Sequence, residues 1–99
     1  RRSVRPARNL IRQIEYTGQF KRDLKKAKKR GKDMQKIKEP LRLLIEEEPL
    51  PPVYRDHPLT GNWSGYRDLH IEPDWLLIYR VSENVIRFER TGSHSDLFR

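Results

Sequence analysis

The sequence predicts a small α+β domain: an antiparallel β-sheet with two N-terminal α-helices packed on one face, in the order β-α-α-β-β-β with a short helix at the end. Three observations carry this expectation. Apolar residues recur at helical spacing between positions 20 and 45. Three strand-like segments separated by short turns fill positions 66 to 91. A chain of 99 residues with 34% hydrophobic content has material for one modest core and no second domain.

The opening strand is Ile14-Glu15-Tyr16-Thr17, with Ile14 and Tyr16 on one face, and Thr17 suits the N-cap of a helix. Phe20, Leu24 and Ala27 then form one apolar stripe on a helix of about three turns, whose other faces are basic. Gly31 closes that helix, and Asp33 is placed to cap a second one carrying Met34, Ile37, Leu41, Leu44 and Ile45. Pro40 inside this run removes a backbone hydrogen bond and crowds the preceding turn, so a kink or break is expected there. Glu46, Glu47 and Glu48 crowd the helix end, where the macrodipole disfavours anions, and Pro49 stops the helix. Positions 49 to 65, with four prolines and two glycines, read as a long flexible loop that carries His57.

Tyr66 to Glu72 alternates, placing Leu69 and Ile71 on one face and Asp68, His70 and Glu72 on the other. Pro73-Asp74 makes a turn into Trp75 to Val81, an apolar run suited to a central strand buried on both faces. After the turn Ser82-Glu83-Asn84, Val85 to Thr91 points Ile86 and Phe88 one way and Arg87, Glu89 and Thr91 the other. Ser93 and Asp96 have the spacing of a capping box for a final helical turn.

Charge divides the chain. The first 33 residues hold 13 Lys and Arg against 3 acids, whereas positions 34 to 99 hold 9 against 11. Eight of the twelve residues from Lys21 to Lys32 are basic, among them Lys25, Lys26, Lys28 and Lys29. Such a run holds phosphates by releasing counterions and reads no base sequence by itself, so nucleic acid is the expected partner. Residues 1–13 hold five arginines and no acid, the composition of a targeting peptide or an RNA-binding arm, and no function is placed there. The absence of cysteine excludes disulfides, thiolate metal sites and a cysteine nucleophile, and is compatible with a reducing cytoplasm. No apolar run approaches the ~18 residues of a membrane span.

The chemistry lies in the acidic rear. His57, His70 and His94 each stand within two residues of a carboxylate, and histidine is the side chain that changes protonation near neutral pH. Asp68-x-His70-x-Glu72-x-Asp74 has a polar group at every second position, so at least the first three share one strand face, about 7 Å apart at each step. Two chemistries suit that set: divalent metal binding through oxygen and imidazole, or metal-free proton transfer. A solvated sheet face shows the same alternation. An antiparallel meander brings the end of the last strand beside the start of the middle one, which predicts that Glu72, Asp74, Trp75 and His94 gather at one edge with His70 a step in. Trp75 and Phe98 are of the residue type that packs a core, or that stacks on an unpaired base.

With the residues laid out, the chain resembles the YafQ group of the RelE/ParE toxin superfamily. The resemblance rests on Ile14-Glu15-Tyr16, Lys32-Asp33-Met34, Asp56-His57-Pro58-Leu59-x-Gly61 and Gly65-Tyr66-Arg67-Asp68-x-His70. It continues in Glu72-Pro73-Asp74-Trp75-x-Leu77-Ile78-Tyr79, Arg87-Phe88-Glu89-Arg90-Thr91-Gly92, and His94 with Leu97-Phe98. It implies a RelE-like fold over residues 14–99 and the toxin of a type II toxin-antitoxin module. It further implies a ribosome-dependent endoribonuclease that cuts mRNA in the ribosomal A site without metal or cofactor, with lysine AAA codons preferred. By matching motif, His57, His70, Asp74 and His94 are the expected catalytic residues. His94 is the candidate acid, and Asp74 or His70 the candidate base. Trp75, Phe98, Arg90 and the basic residues Lys25, Lys26, Lys28 and Lys29 are expected to bind substrate. The implied partners are mRNA, the 70S ribosome through its rRNA, a DinJ-like antitoxin, and operator DNA reached through the antitoxin complex. Two departures from the family pattern are the arginine-rich start and Pro40. A non-catalytic RNA or ribosome binder that blocks translation by occupancy is the alternative reading, motivated by the basic front. A gyrase-directed poison, suggested by superfamily kinship alone, needs no histidine cluster, and full activity in chelator would remove a metal hydrolase.

Overall fold

The computed structural model describes residues 13–98. Of the basic extension expected over residues 1–13, positions 1 to 12 lie outside the described residues, and Gln13 belongs to the first strand. The elements are β1 (Gln13–Tyr16), α1 (Gly18–Lys29), α2 (Gln35–Ile45), β2 (His57–Pro58), β3 (Arg67–Glu72), β4 (Trp75–Ser82), β5 (Val85–Gly92) and α3 (His94–Leu97). The strands form one five-stranded sheet in the order β1-β5-β4-β3-β2. Strands β3, β4 and β5 pair antiparallel as the meander predicts, β2 adds an antiparallel edge beside β3 where the sequence predicts a loop, and β1 adds a parallel edge beside β5, so the sheet is mixed.

Local chemistry accounts for the helices. Thr17 Oγ1 accepts the Phe20 N–H at 2.9 Å and caps α1. Asp33 Oδ1 accepts the Gln35 N–H at 3.0 Å and so serves the start of α2, although the regular helix begins two residues later. Of the kink or break expected at Pro40, the break does not occur: helix α2 continues through it. Proline removes only one hydrogen bond, and the Pro40 ring is fully buried, so packing offsets the loss.

The sheet separates two apolar layers. Phe20, Ala27, Ile37 and Leu44 of the helices pack on Leu69, Trp75, Leu77, Tyr79, Ile86 and Phe88. On the opposite face Leu76 and Ile78 pack with Leu97 of α3, flanked by Leu59, Trp63 and Tyr66. Strand β4 is therefore buried on both faces.

Two bulges change the faces read from simple alternation. One residue of β3, Ile71, is skipped between the pairs His70 with Leu76 and Glu72 with Trp75. Glu72 thereby turns to the helix side, where it accepts from Lys32 at 3.2 Å and Lys36 at 2.8 Å, and leaves the face of Asp68 and His70. A second bulge skips Glu89 of β5, between the pairs Ile78 with Arg90 and Tyr79 with Phe88. It rotates Thr91 inward to 2% exposure, where its hydroxyl accepts the Trp75 indole N–H at 3.0 Å and donates to the Leu76 carbonyl at 2.6 Å. Thr91 was expected on the outward face.

Candidate active site

The stretch 49 to 65 is not one structureless loop. It contains a 3-10 turn at Pro52–Tyr54, the short strand β2, and a second 3-10 turn at Gly61–Trp63. Asp56, immediately before β2, accepts from Arg67 Nη2 at 2.8 Å and from the Tyr79 hydroxyl. Burial, reinforced by that carboxylate, pushes the Tyr79 hydroxyl far above its ordinary range. This anchor fixes His57 opposite Asp68 in the β2–β3 ladder.

His57, Asp68 and His70 thus share the sheet face that α1 and α2 leave open, because directly paired residues share a face. Asp68 is 3% exposed, and burial raises its carboxyl above the ordinary value against the opposing pull of His57, His70 and His94. His57 Nε2 lies 2.9 Å from Asp68 Oδ1, at an angle that makes no hydrogen bond, so Oδ1 is buried without a hydrogen-bond partner among the described residues. The Nδ1 atoms of His57 and His70 approach the carbonyls of Pro58 at 3.1 Å and Pro73 at 3.3 Å. A carbonyl only accepts, so each Nδ1 donates there and Nε2 is the ring nitrogen left over, which in His57 faces the Asp68 carboxylate.

His94 arrives from the other direction. Ser93 and Asp96 form the reciprocal capping box that starts α3. Asp74 Oδ1 accepts both the His94 backbone N–H at 2.9 Å and its Nδ1–H at 2.6 Å. These bonds, the backbone one first, hold the Asp74 carboxyl below the usual range. Asp96 accepts from Arg30 at 2.8 Å, which ties α3 to the end of α1 and, with the Ser93 N–H, holds that carboxyl far below its ordinary value. The His70 ring lies between the other two, 6.2 Å from His57 and 5.7 Å from His94, centroid to centroid. Phe98 follows at 6.3 Å from His94 and is exposed.

The remaining expected residues divide. Trp75 is 1% exposed and presents no free ring face to a base. It packs in the core under Lys32. Glu72, expected at the same edge, is committed to Lys32 and Lys36. Arg90 gives Nε and Nη2 to Asp23 at 3.0 Å each, leaving its other donors for a ligand. Lys25, Lys28 and Lys29 lie exposed on α1, while Lys26 stands 3.8 Å from Asp96. A cavity of about 230 Å³, lined by Lys26, Arg30, Lys32, Trp75 and Asp74, joins the basic end of α1 to the His94 edge. Sequence reasoning missed Asp56, Tyr79 and Asp23 as anchors; the pairing of Asp56 with His57 in one short motif was the available signal.

The fold and site are thus a small α+β domain with a histidine and carboxylate cluster on one open sheet face, beside a basic helix. Residues 12–99 match the family described as bacterial toxin of type II toxin-antitoxin system, YafQ, and the chain belongs to that family. It is 58% identical over 88 residues to the mRNA interferase toxin YafQ of Escherichia coli K12, covering 88% of this chain and 96% of that one. The crystal structure of the E. coli DinJ-YafQ complex is similar at a TM-score of 0.84 and 57% identity, covering 89% of this chain and 99% of that one. A metal-bound toxin from Helicobacter pylori is similar at 0.82 and 40% identity, covering 89% of this chain and all of that one.

Proposed function

We propose that this toxin is an endoribonuclease that cuts mRNA in the ribosomal A site by metal-independent acid–base catalysis. The observation that carries the reading is the row of three imidazoles, with His70 5.7 Å from His94 and 6.2 Å from His57, and with His94 held by Asp74. Such a row can place proton donors and acceptors on both sides of a phosphodiester. The kinship to an mRNA interferase toxin supports the substrate class.

In this mechanism a base takes the proton of the ribose 2′-OH. The 2′-oxygen attacks the adjacent phosphorus in line, the bond to the 5′-oxygen breaks, and an acid protonates that oxygen. His94 is the acid: its Nδ1–H is given to Asp74, which turns Nε2 toward the substrate. Asp74 Oδ1 accepts two bonds from His94, so in this mechanism Asp74 orients the acid. The base is His57 or His70, the two imidazoles that continue the row from His94. Phe98 and the free donors of Arg90 line the substrate path, and Lys25, Lys26, Lys28 and Lys29 hold rRNA phosphates. Alignment by the ribosome supplies the orientation that a shallow site lacks.

By the same kinship the partner is a DinJ-like antitoxin, which carries the complex to operator DNA, and the setting is cytoplasmic. No helix among the described residues is long and apolar enough to cross a membrane. Programmed ribosomes in magnesium buffer, mixed with the chain after it has been stripped of transition metals and dialysed free of chelator, give A-site cuts that disappear with His94→Ala. Uncut message would refute the reading, and persistent translation block by His94→Ala would favour occupancy without cleavage.

A further inference from the structure

We propose that Val53, Arg55, Ile71 and Pro73 form a base-binding pocket that takes the nucleotide on the 5′ side of the cut and favours a purine there. The assignment to that nucleotide rests on the nuclease reading above; the binding of a base does not.

The 3-10 turn Pro52–Tyr54 and the residues after it are pinned at alternate positions. Tyr54 packs against the helix-side core, and Asp56 is held by Arg67 and Tyr79. The side chains that alternate with those anchors face solvent. Val53 is 74% exposed, the highest value among the exposed large apolar residues described, and Arg55 is exposed as well. The side chains of Arg30, Arg42, Arg67, Arg87 and Arg90 each engage a carboxylate. That of Arg55 enters no hydrogen bond or ion pair among the described residues. Its backbone stands at a left-handed φ of 51°, where glycine or asparagine is the ordinary residue at the end of a helical turn. An arginine held in that conformation beside a reactive row is kept for its side chain.

These residues enclose, with His70 and Glu72, a cavity of about 260 Å³. Val53, Ile71 and Pro73 give it apolar walls and Arg55 a single guanidinium fork, the make-up of a ligand pocket. Its volume falls just under the ~300 Å³ at which pockets for drug-sized molecules begin, the scale of a single base. Glu72 is neutralised by Lys32 and Lys36 and does not repel RNA. Unpaired RNA bases are held in this way, by packing on one face and hydrogen bonds at an edge. Both purines offer the fork an N7 acceptor, to which guanine adds O6, whereas pyrimidines lack N7 and present a smaller face.

The reaction gives the pocket its polarity. His94 protonates the 5′-oxygen, which leaves with the nucleotide on the 3′ side, and His57 or His70 takes the 2′-OH proton of the nucleotide on the 5′ side. His70 lines the cavity and His94 does not. The cavity lies at the end of β3, while His94 follows β5, two strands across the sheet.

The experiment has two arms, both on the full chain. In the first, the ¹⁵N-labelled chain is titrated with uncleavable 2′-O-methyl RNA dinucleotides carrying adenine or cytosine at the 5′ position. The amides of Val53, Arg55 and Ile71 should shift with adenine at concentrations where cytosine leaves them in place, and Arg55→Ala should abolish the shifts. In the second, programmed ribosomes carry each of the four bases before the cut. Wild type should favour purines by about fivefold or more. Arg55→Ala should reduce the preference to within about twofold, and Arg55→Lys, which keeps the charge but not the fork, should do the same. Equal cutting after all four bases by wild type, or a preference that survives both variants, overturns the assignment. Amides indifferent to adenine overturn the pocket. A chain that shows the adenine-dependent shifts yet never cuts message supports the pocket and refutes the nuclease reading.

Discussion

Replacing Asp23 by alanine should loosen the whole end of the sheet that presents His94. Asp23 is the buried acid of the most basic helix, 5% exposed, and it accepts four hydrogen bonds. Arg90 Nε and Nη2 donate at 3.0 Å each, the Thr91 N–H at 3.2 Å and Gln19 Nε2 at 2.9 Å. The alanine variant leaves the buried Thr91 N–H unpaired, at about 1 to 3 kcal/mol. Breaking a fully buried ion pair costs ~3–5 kcal/mol. The Arg90 side chain is 27% exposed and can turn to water, so its share falls to roughly 1 kcal/mol. The sum is about 3 kcal/mol, a large part of the ~5–15 kcal/mol that holds a domain of this size together. At roughly 4–8 °C per kcal/mol, the midpoint of thermal unfolding should drop by about 12–24 °C. Circular dichroism melts, read with the fluorescence of buried Trp75, measure it. Asp23→Asn, which keeps an acceptor for Thr91 and Arg90, should lose about half as much. A midpoint within 3 °C of wild type for Asp23→Ala would refute the strut.

Other outcomes follow from the site. Asp74→Asn should leave the fold intact and lower ribosomal cleavage by about 10- to 100-fold, the loss typical when a group that orients a reactive histidine is neutralised; unchanged single-turnover rates would count against its orienting role. Asp68 has a folded-state pKa raised by burial, so its contribution favours the fold below the ordinary carboxyl pKa and is lost as pH rises through the folded value. Asp68→Asn should therefore lose less stability than wild type between pH 5 and pH 8, read in denaturant melts. Asp96 behaves oppositely: its lowered pKa makes its contribution full above the ordinary carboxyl value and progressively lost below it. Amide exchange in α3 should accordingly rise below about pH 4, ahead of the core strands. Removing Lys25, Lys28 and Lys29 together should weaken ribosome binding and flatten its salt dependence, the log–log slope falling by nearly one unit for each phosphate no longer neutralised.

The strand order was legible because β3, β4 and β5 show their periods plainly and the turns between them are short. From that order the meeting of Asp74 and His94 follows directly, and the structure puts them 2.6 Å apart. The capping box at Ser93 was equally plain, since it is local chemistry. His57 was hidden because its strand has two residues and is held by Asp56, whose partners Arg67 and Tyr79 are 11 and 23 positions away. Glu72 and Thr91 were assigned to the wrong faces because a bulge leaves no mark in a binary apolar pattern. Trp75 was open between core and surface in the sequence, and its hydrogen bond to Thr91 settles it as core.

Those two bulges act as phase shifters in an otherwise two-beat pattern. Each hands one side chain across the sheet, and the site's composition depends on both. Without the extra beat at Ile71, Glu72 would stand beside His70 and crowd a second acid into the row of imidazoles, leaving Lys32 and Lys36 without their carboxylate. Without the one at Glu89, Thr91 would leave the indole of Trp75, and the run into His94 would start from the opposite side. The chain therefore tolerates exchange of residues in these strands far better than loss of one: a deletion of a single residue at either point rewrites which charges meet.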